Sequence, residues 1–177
     1  MSAAEAILAA RAAGVSLGID GDDLVLEAPL PPSDTVLDLL SRYKADIVAL
    51  LRPRRNGWLA EDWHAFFDGR VAIAELADRL PRPKAEARAF ACCIAEWLNR
   101  NPIRSSPARC PECGRAEDVD NVLLPFGIEG AAHLWLHSRC WPAWYARRKV
   151  QAFAALVAMG IAPPANLPDD FGKNGDV

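Results

Sequence analysis

Two cysteines stand two residues apart in Cys110-Pro-Glu-Cys113, followed at once by Gly114, and a second pair of metal-binding side chains lies downstream in His137-Ser-Arg-Cys140. The pattern is C-x2-C-x23-H-x2-C. A two-residue spacing lets a tight turn aim both sulfurs at one point, and a glycine next to it lets the backbone fold over them. Three thiolates and one imidazole suit tetrahedral Zn²⁺. Four protein ligands leave no open position for water or substrate, so the expected role of the metal is structural. His133, four residues before His137, is the rival ligand: on a strand the two share a face, but the two-residue spacing to Cys140 favours His137. The competing reading, unligated buried thiols beside a packing histidine, leaves Gly114 unexplained. A redox CxxC calls for a surrounding βαβ pattern, which is missing.

The other candidates for chemistry are weaker. Cys92 and Cys93 lie in a helical stretch with no matched histidine nearby, so they read as small packing residues. His64, between Trp63 and Phe66, reads as packed or exposed. No glycine-rich phosphate loop, GxSxG or HExxH occurs, and the acids are not paired for glycoside or phosphoryl chemistry, so no catalytic residues are assigned and an enzyme is not expected. Arg139, Arg147, Arg148 and Lys149, interleaved with Trp141, Trp144 and Tyr145, offer a basic aromatic face of the kind that binds single-stranded nucleic acid. Against it stands the packing alternative, with the tryptophans in the core and the bases solvated, because residues 110–177 carry a net charge of −2. Arg52, Arg54 and Arg55 read as a linker.

The elements that must position the ligands follow from patterning. Residues 122–124 and 133–136 read as short strands, with 125–130 turning between them. Pro142 suits the first turn of a helix that runs through Trp144, Val150, Phe153, Leu156 and Val157 to a Gly160 cap. Knuckle, hairpin, then a helix with the second ligand pair at its start resembles a treble-clef zinc finger, and the helix amides would stabilise the thiolates. Upstream, Trp63, Phe66, Phe67, Val71, Ile73, Leu76 and Leu80 fit one amphipathic stretch, or two short helices around Gly69. Residues 84–100 present Phe90, Ile94, Trp97 and Leu98 on one face and suggest an antiparallel partner. At the start, an alanine-rich helix ends at Gly14. Val15, Leu17 and Ile19 alternate into a turn at 20–23, and Leu24 and Leu26 return on the same face. Ser33 or Asp34 can cap a further helix, broken near 41–44.

The 177 residues carry 20 basic and 23 acidic side chains, a net −3 that excludes a strongly basic nucleic-acid coat while leaving room for a local patch. The apolar fraction of 51% includes 32 alanines, which suit helices but fill thin cores, and six Trp against two Tyr call for packing or a binding face. Five cysteines are too few for a secreted disulfide scaffold of this length. No basic n-region precedes an apolar stretch, and the uncharged run 150–166 contains Gln, Gly and Pro, so the chain reads as soluble and cytoplasmic, without a membrane partner. The fold class expected is α+β, mainly helical, in four parts: 1–52, a helical pair at 58–101, a zinc unit at 108–161 and a loose tail at 162–177. At about 50 residues the first part is marginal alone and would gain from dimerising or packing on its neighbour.

That first part resembles the TubC N-terminal docking domain, through Ala-Gly-Val-Ser-Leu at 13–17, the turn at 20–23, Leu24 to Glu27 and the run from Leu39 to Arg52. The resemblance implies an αββαα fold, a tendency to homodimerise, and an exposed hairpin that receives a short peptide from a partner protein. Val15, Leu17, Ile19, Leu24 and Leu26 would carry that contact, since an unpaired strand edge accepts an added strand. The remainder, from Trp58 to the Phe171-Gly-Lys-Asn tail, resembles small alphaproteobacterial proteins, some carried on integrated elements. The leading expectation is a non-enzymatic adaptor with a structural zinc site. The alternative is a zinc-dependent nucleic-acid-binding regulator, such as a mobile element could carry.

Overall fold

The computed structural model describes residues 2–20, 22–51, 57–127 and 133–165. Most of the seam at 52–57, the tip of the turn at 20–23, the end of the turn at 125–130 and most of the tail at 162–177 lie outside the described residues. The order is α1 (Ala3–Ala12), β1 (Ser16–Asp20), β2 (Asp23–Glu27), α2 (Asp34–Arg42), α3 (Lys44–Leu51), α4 (Ala60–Leu76), α5 (Arg82–Arg100), β3 (Leu123–Phe126), β4 (Leu134–His137) and α6 (Trp141–Ala158), with a 3-10 turn, Ser138–Cys140, leading into α6. The chain is α+β, with helices predominating and two small antiparallel sheets.

Local chemistry accounts for most of these boundaries. A capping box starts α1: Ser2 Oγ accepts from Glu5 N, and Glu5 accepts from Ser2 N. Helices α1 and α6 end alike. Val15 N donates to Ala10 O at 2.9 Å and Gly14 N to Arg11 O at 3.0 Å; Ile161 N donates to Leu156 O at 3.1 Å and Gly160 N to Val157 O at 3.0 Å. This double bonding satisfies terminal carbonyls and drops a buried apolar residue, Val15 or Ile161, onto the last turn. Gly160 takes φ +87°, and a Cβ there would also sit 3.3 Å from His64 Nε2. Ser33 occupies the N-cap of α2 but makes no side-chain cap bond. The break between α2 and α3 falls at Tyr43. Gly69 does not divide α4, which runs unbroken for 17 residues because packing on both sides of the glycine holds it.

Packing then joins the parts. Trp63 of α4 meets Ile94 and Trp97 of α5, while Val71 and Ala74 meet Ala85 and Ala89, which makes the pair antiparallel. Ala152, Ala155, Leu156 and Val157 of α6 complete the Trp63–Phe90 core. Ala154, on another side of the same helix, belongs to a second core with Ala4, Ile7 and Ala10 of α1, Val15, Leu17, Leu40 and Ile47. Small residues on both α1 and α6 let the two helices sit close. The helix that starts after Cys140 is therefore shared by the N-terminal αββαα segment and the helical pair. No described helix is long and apolar enough to cross a membrane.

Within the C-terminal region, β3 pairs with β4 in the register Leu123↔His137 to Phe126↔Leu134. Both strands lie one or more residues later than the alternation predicts, and Pro125, expected in the turn, sits inside β3. An outer strand tolerates proline because the missing N–H need not face the ladder. On the far side of β4, Ser105 N donates to His133 O at 3.2 Å and Trp135 N donates to Ser105 Oγ at 2.8 Å, so the preceding loop covers that edge.

Candidate metal centre

The knuckle is closed by two backbone bonds, Gly114 N to Cys110 O and Cys110 N to Arg115 O, both 2.8 Å. Gly114 makes this possible with φ +71°. Across from it, β4 ends at His137, and the 3-10 turn delivers Cys140 to the N-cap of α6. The potential ligand atoms of Cys110, Cys113, His137 and Cys140 all lie within 4.8 Å of one another. His137 Nδ1 is 3.3 Å from Cys113 Sγ and 3.9 Å from Cys140 Sγ. A tetrahedral zinc site has a sulfur–nitrogen edge of about 3.6 Å, given Zn–S near 2.3 Å and Zn–N near 2.0–2.1 Å. The donor set, the distances and the burial fit a divalent metal, with the imidazole binding through Nδ1. Cys110, His137 and Cys140 are buried and Cys113 is exposed. His137 Nε2 is buried without a hydrogen-bond partner among the described residues. His133 is outside the cluster; it precedes β4 and its Nδ1 lies against Gly127.

The thiols are tuned in opposite directions. Burial opposes ionisation of Cys110, but N–H groups of Cys113, His137 and Glu112 outweigh it and bring the thiol down to about 6. Burial pushes Cys140 up to about 11, and the neighbouring Cys113 and Cys110 push the same way. A cation at the centre reverses the logic for Cys140, because a coordinating thiol is deprotonated. Cys93, buried in the Trp63–Phe90 core, is pushed up to about 12 by burial and so is an inert packing group, while Cys92 is half-buried beside it.

The residues that could face nucleic acid differ in their surroundings. Arg148 is only 6% exposed; it donates to Asn101 O and Gln151 Oε1, both at 2.6 Å, and its guanidinium lies 5.0 Å from the Trp97 ring. Arg147 makes a forked ion pair with Glu112 of the knuckle. Arg139 is exposed near Asp118, and Lys149 Nζ lies 5.4 Å over Tyr145. The rings are occupied as well. Phe126 stacks on Trp141 at 4.6 Å, and Trp141 stacks on Tyr145 at 5.3 Å and on Trp144 at 5.6 Å. This stack fastens β3 to the first turns of α6 and accounts for two of the six tryptophans. The helical spacing that puts these bases close together in sequence says nothing about which of them turn inward: Arg148 does, while Arg139, Arg147 and the Tyr145 ring stay at the surface.

At the N-terminus β1 pairs with β2 in the register Ser16↔Glu27 to Asp20↔Asp23. Val15 and Leu17 are committed to the core, Ile19 and Leu24 are half-buried, and Leu26 is exposed. Strand β1 packs on α1, α3 and α6 and β2 chiefly on α3, through Leu24 and Asp23, so β2 is the more exposed strand, and Val25, absent from the sequence expectation, is 40% exposed beside Leu26. Lys44 of α3 donates to Asp23 at 2.7 Å and holds that carboxyl below its usual range. Sequence reasoning also missed Glu112 and Phe126, although a charged residue between two ligands and an aromatic in the intervening hairpin were both visible. No protein-family model, no curated protein and no solved structure matches the chain.

Proposed function

We propose that this chain is a non-enzymatic adaptor whose C-terminal unit is a treble-clef-like zinc finger and whose N-terminal αββαα module, docking-like in its element order, presents a strand edge to an extended peptide of a partner protein. The single observation that carries the reading is the convergence of Cys110, Cys113, His137 and Cys140, whose potential ligand atoms lie within 4.8 Å of one another. Zinc would be held by these four side chains with no position left for a substrate, which makes its contribution one of cross-linking: knuckle, β4 and α6 are held together where the local core is only Leu123, Leu134 and Leu136 with their neighbours. The adaptor part is supported by β2, which is largely exposed, pairs with no described strand but β1, and carries exposed apolar side chains on both faces in Val25 and Leu26.

Two experiments test the proposal. Elemental analysis of the purified chain is expected to find about one zinc per chain, lost in Cys113→Ser together with thermal stability; unchanged stability in that variant would sink the structural role. For the docking part, tagged wild type is compared in host lysate, with and without nuclease, with Val25→Lys/Leu26→Lys and with charge reversal of Asp20, Asp22 and Asp23. A stoichiometric protein that survives nuclease and is lost from the variants supports the adaptor; a partner held equally by all of them removes it. Nuclease-sensitive recovery with steeply salt-dependent binding would instead favour the nucleic-acid reading, which the burial of Arg148 and the Arg147–Glu112 pair leave with less support.

A further inference from the structure

Glu112 lies between the two knuckle ligands, and Arg147 stands on α6 two helical turns after Cys140. Arg147 Nη1 donates to Glu112 Oε1 at 2.9 Å, and Nη2 donates to Oε2. The fork thus spans the same two elements that a metal would bridge, by a route that does not pass through the metal. The Glu112 side chain is only 15% exposed, so its charge is better shielded from solvent than that of an ordinary surface pair. A bidentate arginine–carboxylate contact fixes orientation as well as distance. Cys113 is the exposed member of the ligand set and follows Glu112 directly, so the position of Glu112 sets how freely Cys113 can swing away.

We infer that the Glu112–Arg147 pair is a positioning latch for the metal centre, holding the knuckle against α6 so that Cys113 recaptures the metal before it escapes. The inference rests on the zinc reading and concerns retention. Metal leaves a four-ligand site one bond at a time, and the accessible ligand is the first to exchange with solvent or a competing chelator. With the latch closed, the freed Cys113 sulfur stays near the metal and rebinds. Without it, the knuckle moves away and the remaining bonds break sooner. Partners outside the ligand set commonly tune metal affinity in this manner.

The test loads the full chain with zinc, counts the metal by elemental analysis, and follows its release to an excess of chromogenic chelator at low and high salt. Wild type, Glu112→Gln, Arg147→Gln and the exchanged pair Glu112→Arg/Arg147→Glu are compared. Expected are about one zinc in each, release about tenfold faster in either single variant, and substantial restoration in the exchanged pair. Wild-type release should quicken only modestly with salt, because the Glu112 carboxylate is largely shielded. A merely structural loss would not be rescued by exchanging the charges. Release from both single variants at the wild-type rate overturns the latch. A wild-type chain that takes up no zinc overturns the metal reading beneath it, and the count separates the two failures.

Discussion

Two thiols of the candidate metal centre hold their protons very differently in the metal-free fold. Cys110, brought down to about 6 from an ordinary 9.0, is a thiolate at neutral pH, whereas Cys140, pushed to about 11, is protonated. Zinc bound as proposed would expel at least the Cys140 proton, and apparent affinity should rise by about tenfold or more per pH unit between pH 7 and 9, read by competition with a chelator. The metal-free fold has its own profile. The depressed Cys110 adds stability that is full above 9 and lost as pH falls through 6, while the raised Cys140 adds stability that is full below 9 and lost as pH rises through 11. The contribution of these two thiols peaks near pH 9, and denaturant titrations of the apo chain against those of Cys110→Ser and Cys140→Ser should isolate it. Arg148 is the other residue with a decisive environment. Arg148→Ala should cost about 2–3 kcal/mol, since it removes charge-assisted bonds to Asn101 O and Gln151 and the contact with Trp97, while Arg139→Ala, at an exposed position, should stay within about 0.5 kcal/mol.

At the level of elements, two glycines make opposite predictions. Gly69 sits inside α4 with nothing within 4 Å of the place an alanine methyl would take, so Gly69→Ala should stabilise by about 0.5–1 kcal/mol through a less entropic unfolded chain. Gly160 ends α6 at φ +87° against His64, so Gly160→Ala should destabilise by more than about 1 kcal/mol. Chemical denaturation of both variants, with unchanged slope, checks the pair. These helix ends were legible in the sequence because capping depends on a few consecutive residues: Gly14, Gly160 and the helix start at Pro142 all fall where local rules put them. The strand boundaries of β3 and β4 were less legible. Pro125 signals a turn by itself and is admitted to β3 only because the other side of that strand is unpaired by any described strand.

Considered as a whole, the molecule is organised around α6, which begins at Cys140 and ends in two cores at once. Leu156, fully buried between α4, α5 and α6, should lose about 2–5 kcal/mol on truncation to alanine. Because Ala154 and Ala155 face different cores from neighbouring positions, the loss should lower a single calorimetric transition and not split it into an N-terminal and a central step. Two resolved transitions in the wild type would contradict that coupling. The same arrangement argues against judging the N-terminal segment by deletion, since removing α1 strips a face of α6, and it favours point changes on β2.

The amino-acid sequence alone determined the Cys and His pairs that gather in one cluster, the main helix ends and the order of elements, because each depends on spacing over a few residues: two thiols two apart, a glycine after a helix, a proline in a first turn. Tertiary structure alone decided which charges and rings are available. It turned Arg148 inward and gave Arg147 to Glu112, it stacked Trp141 on Phe126 and Tyr145, and it buried β1 more deeply than β2. Those outcomes rest on contacts between residues far apart in the chain, where desolvation and packing against a distant surface outweigh the local pattern that first suggested a role.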